Sequence, residues 1–127
     1  MEETLKLRLA GGPDAAARAR AGLLALNGAL ERFRDVVKLL LTELVTNSVR
    51  HGQGGPDEAI EIELSSSANG VRVQVTDTGT GFNGPPPGRP DPEAGGGYGL
   101  FLVDQLADRW GVVRGPPSRV WFEIDRR

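Results

Sequence analysis

The run from Phe33 to His51 contains neither proline nor glycine and closes on Gly52, a common helix stop. Stepping about 100° per residue from Val36 gathers Val36, Val37, Leu40, Leu41 and Leu44 on one broad apolar arc, so the spacing predicts an amphipathic helix. Lys38, Thr42 and Thr46 take the opposite, solvent-side arc. Glu43 and Asn47, one turn apart, project from the apolar side, within about 20° of Val36. A helix that merely solvated its polar groups would carry them beside Lys38 and Thr42. Burying an unpartnered amide costs roughly 1–3 kcal/mol, and a carboxylate more. Any fold built on this helix must bring something polar to Glu43 and Asn47.

The flanking patterns suggest what surrounds it. Thr4 to Ala10 alternates Leu5, Leu7 and Leu9 with Lys6 and Arg8, the pattern of a half-buried strand. Gly11-Gly12-Pro13-Asp14 breaks that strand and opens a helix whose apolar stripe reads Ala16, Ala19, Leu23, Leu26 and Leu30. After a loop at Gly52-Gln53-Gly54-Gly55-Pro56, Ala59 to Ser65 alternates as a strand. Ala68-Asn69-Gly70 signals a hairpin turn, and Val71, Val73 and Val75 alternate in an antiparallel return. Nine of the fourteen residues from Asn83 to Gly96 are proline or glycine, so a lid or binding loop is expected there rather than regular structure. Tyr98 to Trp110 has helical period, with Leu102, Val103, Leu106, Ala107 and Trp110 on one face. Gly111–Val113 and Val120–Ile124 read as short strands. Phe101 falls with Asp104 and Asp108 on the wetter side of its helix, as a contact surface or a core edge. This order predicts an α+β fold: a mostly antiparallel mixed sheet with helices on one face.

Composition narrows the chemistry. No cysteine is present, which removes disulfides and Cys-ligated zinc, and a lone histidine argues against His-rich metal sites and a Ser-His triad. A net charge of −2 lacks the basic excess of non-specific nucleic-acid binders. No apolar run approaches the ~20 residues that span a bilayer, and no signal-peptide core opens the chain. The expectation is a cytoplasmic protein with one domain over residues 1–127, long enough to bury about two-thirds of its unfolded surface.

Three polar boxes carry candidate chemistry. For Glu43 and Asn47, Arg50 one turn on could supply the balancing charge. Alternatively, Asn47 could ligate a hard cation such as Mg²⁺, which takes few protein ligands alongside water and phosphate oxygens, and Glu43 could serve as a general base nearby. Asp77-Thr78-Gly79-Thr80-Gly81 ends a strand. It is either a turn or an acceptor for an exocyclic amine, with Gly79 and Gly81 admitting a flat ring against the backbone. Gly95-Gly96-Gly97-Tyr98-Gly99-Leu100 opens a helix, a setting in which free N–H groups can meet an anion. It is neither a Walker loop, since no Gly-Lys-Ser/Thr occurs, nor a Rossmann fingerprint.

Taken in order, these boxes resemble those of the Bergerat-fold ATPases, the superfamily of histidine kinases, type II topoisomerases and a class of chaperones. Within it, Glu43-Leu44-Val45-Thr46-Asn47-Ser48-Val49-Arg50-His51-Gly52, Gly97-Tyr98-Gly99-Leu100 and the terminal Val120-Trp121-Phe122-Glu123 look most like the anti-sigma-factor serine kinases. The resemblance covers essentially the whole chain and implies a two-layer α/β sandwich binding ATP and Mg²⁺. It makes Asn47 the Mg²⁺ ligand, Glu43 the base that activates a substrate serine, and Asp77 the adenine reader, with Gly79 and Gly81 lining the ring. Gly97, Gly99 and Leu100 would cover the phosphates, with Arg50 and His51 as phosphate neighbours and residues 83–96 as the ATP lid. Ser118 stands where many relatives carry threonine before the last strand and keeps its hydroxyl, although Pro116-Pro117 replaces a more glycine-rich approach.

The function this implies is a serine/threonine kinase that phosphorylates an anti-sigma-factor antagonist and sequesters a sigma factor, without membrane or direct nucleic-acid partners and with a possible homodimer. Three alternatives remain. The first is an ATP-binding regulatory module without kinase activity, and the second a structural α+β interaction domain. The third, a sensor histidine kinase, would need a phosphoacceptor histidine on a preceding helix, whereas His51 lies within the nucleotide-site helix.

Overall fold

The computed structural model describes residues 3–26, 33–51, 59–78, 98–113 and 117–126, with the backbone alone at 26, 50, 51 and 98–100. Alternation of apolar and polar residues produces strands β1 (Glu3–Ala10), β2 (Ala59–Ser67) and β3 (Gly70–Asp77), followed late in the chain by β4 (Arg109–Val113) and β5 (Ser118–Asp125). They form one sheet in the order β1-β2-β3-β5-β4, with every neighbouring pair antiparallel. The registers align the alternations. Leu5, Leu64, Val73 and Phe122 stand in one cross-strand row, and Leu7, Ile62, Val75 and Val120 in the next. Side chains of period two therefore build one continuous apolar face.

Three α-helices accompany the sheet: α1 (Ala15–Gly22), α2 (Arg34–His51) and α3 (Tyr98–Leu106). α2 contacts β3 and is flanked by α1 on one side and α3 on the other. Its Val37, Leu40, Leu41, Leu44 and Val45 join Ile62, Leu64, Val73, Val103 and Phe122 in the buried core.

The structure revises three expectations. The buried arc of α2 extends further than its spacing from Val36 suggests. Val45 is fully buried, and Thr42 and Thr46 are half-buried rather than solvent-facing. At Thr42 the cover comes from α1, whose Arg20 Nη1 donates to Thr42 Oγ1 at 3.3 Å while that hydroxyl donates to Lys38 O at 2.7 Å. Secondly, α1 does not continue as an α-helix but gives way to a 3-10 turn at Leu23–Leu26. Ala15, Ala19 and Leu23 carry its buried stripe, with Ala16 half-buried, Leu24 exposed, and Leu30 and the Leu26 side chain outside the described residues. Thirdly, Trp110 belongs to β4, opposite Phe122, and not to the helix before it. Asp108 makes the switch: its N–H donates to Glu123 O at 2.9 Å and its Oδ2 accepts from Asp125 N at 2.6 Å. These bonds draw the chain into the sheet, so α3 ends at Leu106, which is 43% exposed instead of joining the core. Phe101 is half-buried, as a core edge would be.

Candidate functional site

Asp77 is the last residue of β3 and Ser118 the first of β5, and the register sets them directly opposite each other near the middle of the sheet. Two residues back, Val75 and Val120 form the preceding pair on the helix-facing side, so period two directs Asp77 and Ser118 to that side too. Ser118 Oγ donates to Asp77 Oδ1 at 2.6 Å, a short bond of the charge-assisted kind. Ser118 is only 4% exposed, whereas Asp77 is half-buried. A carboxylate fixed by a buried hydroxyl at a strand end is a preorganised acceptor for an N–H donor. Sequence reasoning singled out both residues but not their bond: they are 41 positions apart, and only the β3–β5 register joins them.

α2 packs against β3. Asn47 lies on its core side, 7% exposed, and its Nδ2 is buried without a hydrogen-bond partner, the one such side-chain atom among the described residues. An orphan of this kind is costly unless a ligand meets it. A half-turn of the amide exchanges Nδ2 and Oδ1, so the position can present either a donor or a hard oxygen acceptor. Glu43, one turn earlier, is half-buried. The pair therefore does project from the covered side of the helix. A buried amide oxygen with a carboxylate one turn away suits a hard divalent cation that keeps most of its ligands as water and phosphate. Among the described residues no cluster of three or more His, Cys, Asp or Glu competes as a metal site.

Gly99 and Leu100 lie in the first turn of α3, where backbone N–H groups lack intrahelical partners. The side chains of Arg50 and His51 are outside the described residues, as are Gly79, Gly81, Gly97 and the 83–96 segment. The described residues thus show a carboxylate with its hydroxyl partner where β3 meets β5, an orphaned buried amide one turn from a second carboxylate on α2, and the first turn of α3, with α2 in contact with both β3 and α3.

A family model described as the histidine kinase-like ATPase domain matches residues 9–121. The chain belongs to that family. Its relatives include the serine-protein kinase RsbW of Listeria monocytogenes and that of Listeria innocua. Each is 30% identical over 122 residues, covering 85% of this chain and 78% of the relative. Within the histidine kinase-like ATPases, these likenesses place it with the anti-sigma-factor serine kinases. The fold of the solved RsbU and RsbW domains of a Mycobacterium tuberculosis protein superposes on it with a TM-score of 0.67 at 20% identity. The match covers 96% of this chain but 31% of that one. As a histidine kinase-like ATPase domain it is a nucleotide-binding protein, and ATP is the ligand its site has to fit.

Proposed function

We propose that the protein is an ATP-dependent serine/threonine kinase that phosphorylates an anti-sigma-factor antagonist and sequesters a sigma factor. The observation that carries this reading is the buried, orphaned amide of Asn47, one turn from Glu43, on the helix packed over the strand that carries Asp77. A merely structural domain has no use for that arrangement, whereas a magnesium–nucleotide complex supplies the missing partner. The serine-protein kinase relatives support the reaction class.

In this reading Asp77, held by Ser118, accepts a hydrogen bond from the adenine exocyclic amine, with Gly79 and Gly81 against the ring. The first-turn N–H groups of α3 at Gly99 and Leu100, with Gly97 before them, meet the phosphates, and Arg50 and His51 flank them. Asn47 would hold Mg²⁺ through Oδ1; when bound, the ion neutralises charge on the transferring group. Glu43 accepts the proton of the substrate serine hydroxyl. As that serine oxygen bonds to the γ-phosphorus, the bond to the β-phosphate oxygen breaks and ADP leaves. Catalysis of this kind rests on positioning and electrostatics rather than on covalent chemistry by the protein. The product phosphoserine carries nearly two negative charges, which would weaken the antagonist's hold on the kinase.

The test is phosphotransfer from Mg-ATP to candidate antagonists, read by mass spectrometry for phosphoserine. Transfer that Glu43→Ala lowers by at least roughly a hundredfold is expected for loss of a general base. Absence of transfer to any antagonist, with Glu43→Ala leaving partner regulation intact, would leave ATP as a conformational ligand only. A second readout is independent of activity. Asn47→Ala should abolish magnesium-dependent ADP binding in a calorimetric titration while changing folding stability by no more than about 1 kcal/mol, because it deletes an unsatisfied group.

A further inference from the structure

The sheet has two edges, and they differ. β4 is five residues long, the short kind of edge that resists further pairing. β1 at the other edge is eight residues long, lacks proline and runs in unbroken register with β2 from Glu3 opposite Ser66 to Ala10 opposite Ala59. Among the described residues no strand pairs with its other side. Its inner row is also incompletely covered: Leu5, Leu7 and Leu9 are half-buried, while Ile60, Ile62 and Leu64, one strand further in, are buried. A sixth strand would extend the backbone ladder and cover the three leucines together.

The outer row says what kind of strand. β2 presents a negative column, Glu61 and Glu63, and β1 a positive one, Arg8 and Lys6, paired across at 3.8 Å. Both cationic side chains are still 76% exposed, so their charge is only partly met from the β2 side. The next column that this alternation accommodates is negative. A second copy of β1 does not supply it. In the antiparallel registers that keep both leucine rows on the inner face and overlap most of the strand, Lys6 meets either Lys6 or Arg8 of the other copy. Like charges directly opposite each other destabilise a strand pair. Lys6 and Arg8 thus block self-pairing and select among other partners, the two halves of a specificity device.

We propose that the free edge of β1 is a docking site for an extended segment of a partner protein in which apolar residues alternate with aspartate or glutamate, added antiparallel or parallel as a sixth strand. Main-chain hydrogen bonds would hold the segment, its apolar residues would cover Leu5, Leu7 and Leu9, and its acidic residues would pair with Lys6 and Arg8. The proposal is independent of the kinase reading, since β1 carries none of the nucleotide-site residues.

The test uses the full chain and a fluorescently labelled peptide of alternating valine and glutamate. Saturable binding is expected in fluorescence anisotropy, with the valine–lysine counterpart weaker by roughly tenfold or more. The preference should shrink at high salt, and methylation of alternate backbone amides of the peptide should abolish binding. The double variant Lys6→Glu/Arg8→Glu should reverse the preference. Lys6→Gln/Arg8→Gln, a milder change that preserves folding if the reversal does not, should remove it. Hydrogen exchange with the acidic peptide bound should slow at residues 3–10. Equal binding of both peptides, retention after N-methylation, protection confined to other elements, or no binding at millimolar peptide overturns the proposal. So does slow hydrogen exchange at residues 3–10 of the peptide-free protein that speeds up on dilution, which would show β1 occupied by a second β1.

Discussion

Ser118 and Asp77 show how much a single bond can decide. Neither residue is unusual at a strand end, but the 2.6 Å contact between them converts a strand-end carboxylate into a fixed acceptor. Ser118→Ala would leave that carboxylate short of a buried donor. A hydrogen bond to a charged group contributes roughly 1.5–3 kcal/mol, so nucleotide affinity should fall by about tenfold or more in titration with Mg-ADP. Ser118→Thr, which keeps the hydroxyl, should retain it. Gly70 is a contrasting case in which the backbone itself is the constraint. It has a φ of +150°, and a Cβ there would run into Ile124 O, a main-chain atom that cannot step aside. Gly70→Ala should cost more than about 2 kcal/mol in urea unfolding, from backbone strain and steric overlap together.

At the level of elements, β5 organises the sheet because it pairs on both sides, and its Glu123 bonds to two arginines. Arg109 Nε donates to Glu123 Oε1 at 2.8 Å and Arg72 Nη1 to Oε2 at 3.2 Å, while Arg109 also pairs with Asp125. The bond from Arg109 above all, then that from Arg72, holds the Glu123 carboxyl below its ordinary value of 4.5. A depressed folded pKa means that the unfolded chain takes up the proton first. The stabilisation is complete above about pH 4.5 and is lost as pH falls through the folded value. The urea midpoint of the wild type should therefore drop more between neutral pH and about pH 3 than that of Glu123→Gln, whose amide does not titrate. Equal acid sensitivity of the two proteins would show that this cluster has no role in it. The same ladder explains why Trp110 left the helix expected from its spacing. Arg109 has its partners on β5, and Asp108, just before β4, bonds to the β5 main chain at Glu123 O and Asp125 N.

At the scale of the molecule, one apolar layer joins the sheet to α2, with α1 and α3 closing its sides. Phe122 is fully buried near the centre of that layer, in the strand that also carries Ser118 and Glu123. Phe122→Ala should lower folding stability by about 3–5 kcal/mol in chemical denaturation, the usual cost of an aromatic cavity. Nucleotide binding should fall with it, since Ser118 lies on the same strand. Nucleotide at a concentration of a hundred times its Kd should restore about 2.7 kcal/mol to the wild type, because the ligand binds only the folded form. Among the described residues no helix is long and apolar enough to cross a membrane.

The elements, and the polar pair of the candidate site on α2, were legible in the linear chain because they rest on local periodicity. Alternating residues marked β1, β2 and β3, the 3.6-residue spacing marked α2, and Glu43 with Asn47 stood out because a polar pair on an apolar face needs a partner. The antiparallel layer with helices on one side follows from the same patterns. What they could not contain was long-range pairing. The Asp77–Ser118 bond, the bond of Arg20 on α1 to Thr42, the passage of Trp110 into β4 and the unequal edges of the sheet all depend on which distant segments become neighbours. Periodicity fixes which side of an element is apolar. Only the assembled sheet and helices determine what each side meets, and so whether the amide of Asn47 is buried without a hydrogen-bond partner.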